Sequence, residues 1–139
     1  MTAAISNRGD AMACVEQVVD RVAREYRLSN DVQTDLRIAL DEVVTNILKY
    51  AYADERAHEF TIRCELREGA LETTIEDDGL AFDPLLAPAP DLSAPVATRH
   101  VGGLGVHFVK NLMSAVRYER IQGRNRLTLS QRIDAGGSR

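Results

Sequence analysis

The spacing of apolar residues changes from a helical repeat to a strand repeat after about residue 50 of this 139-residue chain. Up to about residue 50, apolar residues recur three and four positions apart, as on the buried side of an amphipathic helix. Between residues 60 and 77 they alternate with polar residues, as in a strand with one buried face. Helices followed by neighbouring antiparallel strands favour an α+β fold built as a two-layer sandwich.

The apolar stripes predict two long helices. The first covers Ala11–Tyr26, and the second begins at a capping signal, Asn30 followed by Gln33, and continues to about Tyr50. A third, short helix is expected at residues 106–113. The stripe residues are Val15, Val18, Val19, Val22 and Tyr26 in the first helix, and Leu36, Leu40, Val43 and Ile47 in the second.

Four strands complete the predicted fold. Residues 60–67 and 71–78 alternate in polarity and form a hairpin. Two further strands, residues 115–121 and 126–133, meet at a turn over residues 122–125. A short turn joins the two strands of each pair, which predicts antiparallel neighbours within each hairpin.

Composition removes several functional classes. The length fits one domain, residues 1–139. No apolar run reaches the roughly 18 residues of a membrane helix, and the N-terminus lacks the apolar stretch of a signal peptide. We therefore expect a cytoplasmic protein without a membrane contact. Two cysteines, Cys14 and Cys64, are too few for a disulfide framework or a zinc site.

Charge is unevenly distributed along the chain. The net charge is −4, but residues 30–91 carry 5 basic and 15 acidic residues, whereas residues 92–139 carry 8 basic and 2 acidic residues. Without a basic surplus, and with 5% aromatic residues, direct nucleic-acid binding is not expected. On charge alone this asymmetry favours solvated faces of helices and strands, and binding of a metal-bound polyanion is the alternative.

The second predicted helix carries the first candidate site. Glu42, Asn46 and Lys49 lie on one side of it, at the border of the apolar stripe. At such a border, a carboxylate can accept a proton and an amide oxygen can bind a cation. The same pattern also fits a polar flank with a Glu–Lys ion pair.

Two further candidates involve an inward aspartate and a glycine-rich segment. Alternation places Asp77 on the inward face of its strand, where the exocyclic amine of a bound base would be a suitable partner, and Gly79 allows close backbone approach. A simple Asp-Gly turn is the alternative. The glycine-rich segment at residues 102–105 precedes the third helix, where backbone N–H groups favour phosphate; a flexible hinge is the alternative.

Taken in order, three segments resemble the motifs of one known family. Glu-Val-Val-Thr-Asn (42–46), Asp-Asp-Gly-Leu-Ala-Phe-Asp-Pro (77–84) and Gly-Gly-Leu-Gly (102–105) resemble the N box and the two glycine boxes of GHKL-type ATP-binding domains. The short lid resembles that of the anti-sigma-factor serine/threonine kinases of the RsbW type. The resemblance spans residues 10–133 and implies a mixed, mostly antiparallel sheet covered on one face by about three helices.

The resemblance implies a role for each matching residue. Glu42 matches the general base, Asn46 the Mg²⁺ ligand, and Lys49 a basic residue near the nucleotide. Asp77 matches the aspartate that binds the adenine amino group, with Gly79 two positions later. The ATP-binding residues implied at the second glycine box are Gly102, Gly103, Leu104 and Gly105.

The chain departs from the family pattern at two positions. Ala81 stands where many relatives have a second glycine. Some relatives have an arginine immediately before the second glycine box that reaches the terminal phosphate. Here the nearest arginine is Arg99, two residues further away, so the resemblance makes Arg99 the candidate phosphate contact, and a solvated loop charge is the alternative. The lid itself is expected at residues 80–102, and residues 134–139 are expected to fray.

The resemblance also implies a function. It predicts a protein serine/threonine kinase that uses ATP and Mg²⁺, phosphorylates a STAS-type anti-sigma-factor antagonist and binds a sigma factor. A homodimer is the assembly that the resemblance suggests. The alternatives are a nucleotide-gated binding module with little kinase activity and a stand-alone histidine-kinase-like ATPase domain. Glu42 favours the kinase, because a pure binding module needs no general base.

Overall fold

The structure is a computed structural model that describes residues 1–84 and 109–133. The elements are β1 (Thr2–Ser6), α1 (Ala11–Tyr26), α2 (Asn30–Asn46), a π-helical turn (Ile47–Ala51), β2 (Glu59–Arg67), β3 (Ala70–Asp77), β4 (Ala115–Ile121) and β5 (Arg124–Arg132). Residues 109–112 are also helical. Several predictions lie outside the described residues: most of the lid, the tail (134–139), Arg99, Gly102, Gly103, Leu104 and Gly105.

Side-chain caps define where the two long helices begin. Helix α1 has the predicted bounds, and Asp10 caps it by accepting a hydrogen bond from the backbone N–H of Ala13 at 3.0 Å. Helix α2 begins at Asn30 as predicted, but its cap is Ser29, whose hydroxyl accepts from the Val32 N–H at 3.2 Å. The prediction that Asn30 belongs to the cap was therefore wrong by one residue.

The end of α2 differs from the continuous helix that the sequence predicted. The α-helical part ends at Asn46, and the next five residues form a wider π-helical turn in which Ile47 and Ala51 are buried. The Ala51 carbonyl accepts a hydrogen bond from the Leu80 backbone N–H at 2.7 Å. This turn therefore ties the helix directly to the chain after β3, and π-helical turns of this kind are frequent at functional sites.

Five strands form one sheet in the order β1-β2-β3-β5-β4, and every neighbouring pair is antiparallel. Both predicted hairpins are present. Each closes through two residues with positive φ, Glu68-Gly69 and Gln122-Gly123, which is the geometry of tight hairpin turns. The second turn is therefore shorter than predicted, and Asn125 belongs to β5 rather than to the turn.

Strand β1 was not predicted. It pairs with β2, with Ile5 opposite Phe60, and Ile5 is its only buried residue. One buried side chain in five residues does not produce a readable alternation, so the strand depends on its neighbour rather than on its own pattern.

One face of the sheet packs against the helices and forms the core. Alternate residues of β2, Phe60, Ile62 and Cys64, are fully buried, and they belong to one apolar cluster with residues of α1 and α2. The prediction of an α+β sandwich is confirmed, with the sheet antiparallel at all its described pairings. None of the helices within residues 1–84 and 109–133 is long and apolar enough to cross a membrane.

Candidate functional site

A pocket opens between the C-terminal end of α2 and the sheet, at the end of β3 and the start of β5. Most of its lining is apolar, and the polar side chains that enter it include Asn46, Asp77, Tyr118 and Asn125. The apolar lining includes Val43, Ile47, Ile75, Val116 and Leu127. An apolar cavity with a few convergent polar groups is the usual form of a small-molecule site.

Glu42 and Asn46 form a hydrogen-bonded pair at one side of this pocket. They are one helical turn apart in α2, and the Asn46 amide Nδ2 donates to Glu42 Oε1 at 3.3 Å. Asn46 is only 9% exposed. Burial raises the pKa of the Glu42 carboxyl, while the hydrogen bond from Asn46 and the charge of Lys49 act in the opposite direction.

Lys49 lies outside the pocket lining. Its side chain is exposed, and it follows Asn46 within the π-helical turn. Lys49 acts on the site through its positive charge, which lowers the pKa of the Glu42 carboxyl. The three residues predicted for this site therefore lie at different distances from the pocket. Asn46 lines it, Glu42 contacts it through Asn46, and Lys49, in the π-helical turn, remains at the surface.

The Asn46 amide has the chemistry of a Mg²⁺ ligand. Because Nδ2 donates to Glu42, the amide oxygen Oδ1 is the atom that can bind a cation in the pocket. Mg²⁺ prefers oxygen ligands, and with nucleotides it is commonly held by one or two protein oxygens together with phosphates and waters. Within residues 1–84 and 109–133, no group of three or more His, Cys, Asp or Glu residues forms a separate metal site.

Asp77 ends β3 on the inward face, as the alternation predicted, and is 5% exposed. Its Oδ1 accepts hydrogen bonds from the Gly79 backbone N–H and from Asn125 Nδ2, both at 2.9 Å. Such bonds stabilise a carboxylate in a mostly apolar pocket. Asp77 and Asn46, far apart in the sequence, line the same cavity.

Gly79 is required by packing against the helix layer. A Cβ placed on Gly79 would lie 2.4 Å from the Ala51 carbonyl oxygen and 2.6 Å from the Ala51 Cβ. The close approach that the sequence suggested for a ligand is therefore made to the π-helical turn. Gly79 still contributes to the pocket, because its backbone N–H donates a hydrogen bond to the Asp77 carboxylate.

Gly79→Ala is expected to lower the free energy of unfolding by about 1–3 kcal/mol, the usual cost of overpacking. The added methyl displaces the Ala51 carbonyl, which weakens its hydrogen bond with Leu80. Chemical denaturation measures this change. Gly9→Ala is the control, since a Cβ there meets nothing within 4 Å and only its positive φ is strained. Wild-type stability of Gly79→Ala would contradict the packing argument.

Two pocket residues, Asn125 and Tyr118, were missed by the sequence analysis. Asn125 lies opposite Asp77 in the β3–β5 pairing, and Tyr118 of β4 lies on the same face. The signal was available, because Asn125 begins the inward row of Leu127 and Leu129 and is a polar residue among apolar ones. Its position after Gly123 made it resemble part of the turn instead.

Comparisons with known proteins agree with this geometry. A family model described as the histidine kinase-like ATPase domain matches residues 5–131. The serine/threonine-protein kinase BtrW of Bordetella bronchiseptica is 31% identical over 114 residues, which cover 81% of this chain and 79% of BtrW. The serine-protein kinase RsbW of Bacillus subtilis is 32% identical over 108 residues, which cover 73% of this chain and 66% of that protein.

A solved structure shares the fold. The histidine kinase AdeS of Acinetobacter baumannii superposes with a TM-score of 0.53 at 14% identity, covering 96% of this chain and 68% of that one. Identity this low supports the fold alone, whereas the family model covers nearly the whole chain. The resemblance read from the three motifs is thus confirmed, and the chain belongs to the histidine kinase-like ATPase domain family.

Proposed function

We propose that this chain binds ATP together with Mg²⁺ in the pocket and transfers the γ-phosphate to a serine or threonine of a protein partner. The observation that carries the proposal is the hydrogen-bonded pair of Glu42 and Asn46 beside a cavity that also contains Asp77. The names of the related proteins, serine/threonine-protein kinase BtrW and serine-protein kinase RsbW, support the reaction class.

Each residue has a distinct part in the proposed reaction. Asn46 would hold Mg²⁺ through Oδ1, and the ion would neutralise part of the charge of the triphosphate. This matters because residues 30–91 carry 5 basic and 15 acidic residues, a net charge of −10, which would otherwise repel the nucleotide. Glu42 would accept the proton of the incoming hydroxyl. Its burial makes it a stronger base than an exposed carboxylate. Phosphoryl transfer depends mainly on positioning and charge, so few protein groups are needed.

Asp77 would select the base. An ionised carboxylate accepts hydrogen bonds and donates none, and the exocyclic amine of adenine is a donor at the corresponding position, whereas guanine presents an oxygen there. The remaining family residues, Arg99 and Gly102 to Gly105, are proposed to contact the phosphates, on the basis of the motif alone.

Asp77→Asn is expected to reduce the preference for ATP over GTP by about tenfold, the worth of a hydrogen bond to a charged group. The amide presents a donor as well as an acceptor, so it no longer discriminates against the guanine oxygen. Calorimetric titration with both nucleotides measures the preference. Asp78→Asn is the matched control, because Asp78 is exposed and does not line the pocket. An unchanged preference in Asp77→Asn would remove the role assigned to Asp77.

The protein partners are inferred from the resemblance to the RsbW-type kinases. We propose that the phosphate acceptor is a STAS-type anti-sigma-factor antagonist and that the same domain binds a sigma factor. The test is transfer of radiolabelled γ-phosphate to a purified candidate antagonist. Labelling of a serine or threonine supports the kinase. Nucleotide binding with no transfer to any antagonist would instead favour a nucleotide-gated binding module.

A further inference from the structure

We propose that Asn125, held in place by Tyr118, is a positioning residue that sets how Asp77 meets the nucleobase. The inference rests on the proposed function, because it concerns the base that the same pocket would take. It adds two residues, from β5 and β4, to the part of the site that selects the ligand.

All four hydrogen-bonding positions of the Asn125 amide are occupied. Its Nδ2 donates to Asp77 Oδ1 at 2.9 Å and to the Leu80 carbonyl at 2.8 Å. Its Oδ1 accepts from the Tyr118 hydroxyl and, at 3.4 Å, from the Phe82 backbone N–H. A side-chain amide can make no more than this, so Asn125 has no group left for a ligand.

Three of these contacts also fix the direction of the amide. If its nitrogen and oxygen exchanged places, the Asp77 and Leu80 oxygens would face Asn125 Oδ1 and the Phe82 N–H would face Nδ2, whereas the Tyr118 hydroxyl can accept as well as donate. The side chain is 7% exposed, so water gives little compensation for a wrong orientation. Leu80 and Phe82 therefore keep an Asn125 donor directed at Asp77, and the bond from the Tyr118 hydroxyl holds the amide in that place.

As a consequence, the two carboxylate oxygens of Asp77 have different roles. Both hydrogen bonds that it accepts from the described residues, from Gly79 and from Asn125, end on Oδ1. The carboxylate is thereby held in one orientation, and Oδ2 is the oxygen left for an amine of the base. Asp77 and Asn125 are direct partners in the β3–β5 pairing, so the backbone register maintains this contact.

Asn125 also connects base recognition to the first residues of the predicted lid. Leu80 and Phe82 both bond to it, and both line the pocket. A change at Asn125 therefore alters the carboxylate and the neighbouring backbone together. A residue that served only to stabilise the sheet would not alter the choice between two ligands.

The test compares ATP with purine riboside triphosphate, which lacks only the exocyclic amine. Calorimetric titration of the full chain gives the ratio of the two dissociation constants, expected to be about tenfold or more in the wild type, as for a hydrogen bond to a charged group. In Asn125→Asp, which keeps the shape but replaces both amide donors with a carboxyl group that must share a proton with Asp77, the ratio should fall below about threefold. Tyr118→Phe should lower it at least about twofold by freeing the amide.

Matched controls carry the same chemical changes elsewhere. Tyr26→Phe removes a hydroxyl that contacts the Cys64 carbonyl, and Asn30→Asp adds a carboxylate at the exposed start of α2; both should keep the wild-type ratio. If Asn125→Asp does not fold, the ratio of dissociation constants measured for Tyr118→Phe tests the positioning role. Equal weakening of both nucleotides, with an unchanged ratio, would overturn the positioning role. A wild type that binds ATP without favouring the amine would overturn it as well, whereas absence of any ATP binding would overturn the proposed function itself.

Discussion

Replacing Asn46 with alanine is expected to abolish the Mg²⁺-dependent part of ATP binding while the protein remains folded. The substitution removes the amide oxygen that lines the pocket and also the donor to Glu42. Loss of groups that only orient metal ligands costs 10–100-fold in affinity, so loss of a direct ligand should cost about 100-fold or more. Stability should change little, because Asn46 contributes no large apolar surface to the core.

Thermal-shift titration with ATP, in the presence of Mg²⁺ and in the presence of EDTA, measures this effect. Wild-type protein should be stabilised more strongly with Mg²⁺, and Asn46→Ala should respond equally weakly in both. Asn30→Ala is a matched control, since Asn30 is exposed at the other end of α2. A wild-type Mg²⁺ response in Asn46→Ala would remove the metal role from this residue.

Glu42→Gln is expected to keep ATP binding and to reduce phosphoryl transfer by about 10²–10⁴-fold, the usual contribution of a general base. The amide keeps the shape of the side chain and its contact with Asn46, but it cannot take a proton from a serine hydroxyl. Glu42→Ala should give the same loss of transfer. The two variants together separate the chemical role from the hydrogen bond.

Single-turnover transfer to an antagonist protein, with nucleotide saturating, measures the chemical step separately from binding. Glu55→Gln is the control, because Glu55 is exposed in the connection after the π-helical turn. Its rate should equal that of the wild type. Full transfer activity in Glu42→Gln would refute the assignment of the base.

The regular elements were predictable because their sequences carry strong local periodicity. Helix α1 was predicted with its observed bounds, and the β2–β3 hairpin was found from alternation. In each case one face of the element is buried, so burial imposes a pattern on the sequence. Strand β1 carries one buried residue and no such pattern, which is why the sequence did not predict it.

The site was only partly predictable, because its residues depend on contacts across the sheet and between layers. Glu42 and Asn46 are one turn apart on a helix, and a sequence shows this directly. The pairing of Asp77 with Asn125 depends on the strand order, in which β5 lies beside β3. Likewise, the contact of Gly79 with Ala51 depends on a π-helical turn that propensities do not predict.

The central claim is that the pocket shared by Asn46 and Asp77 is an ATP site. The most direct measurement is a calorimetric titration of the nucleotide-free chain with ATP and Mg²⁺, repeated with Asn46→Ala and Asp77→Asn. We predict saturable binding of one ATP per chain in the wild type, and weaker binding in both variants. No binding to the wild type at millimolar ATP, or binding that both variants retain unchanged, would contradict the claim.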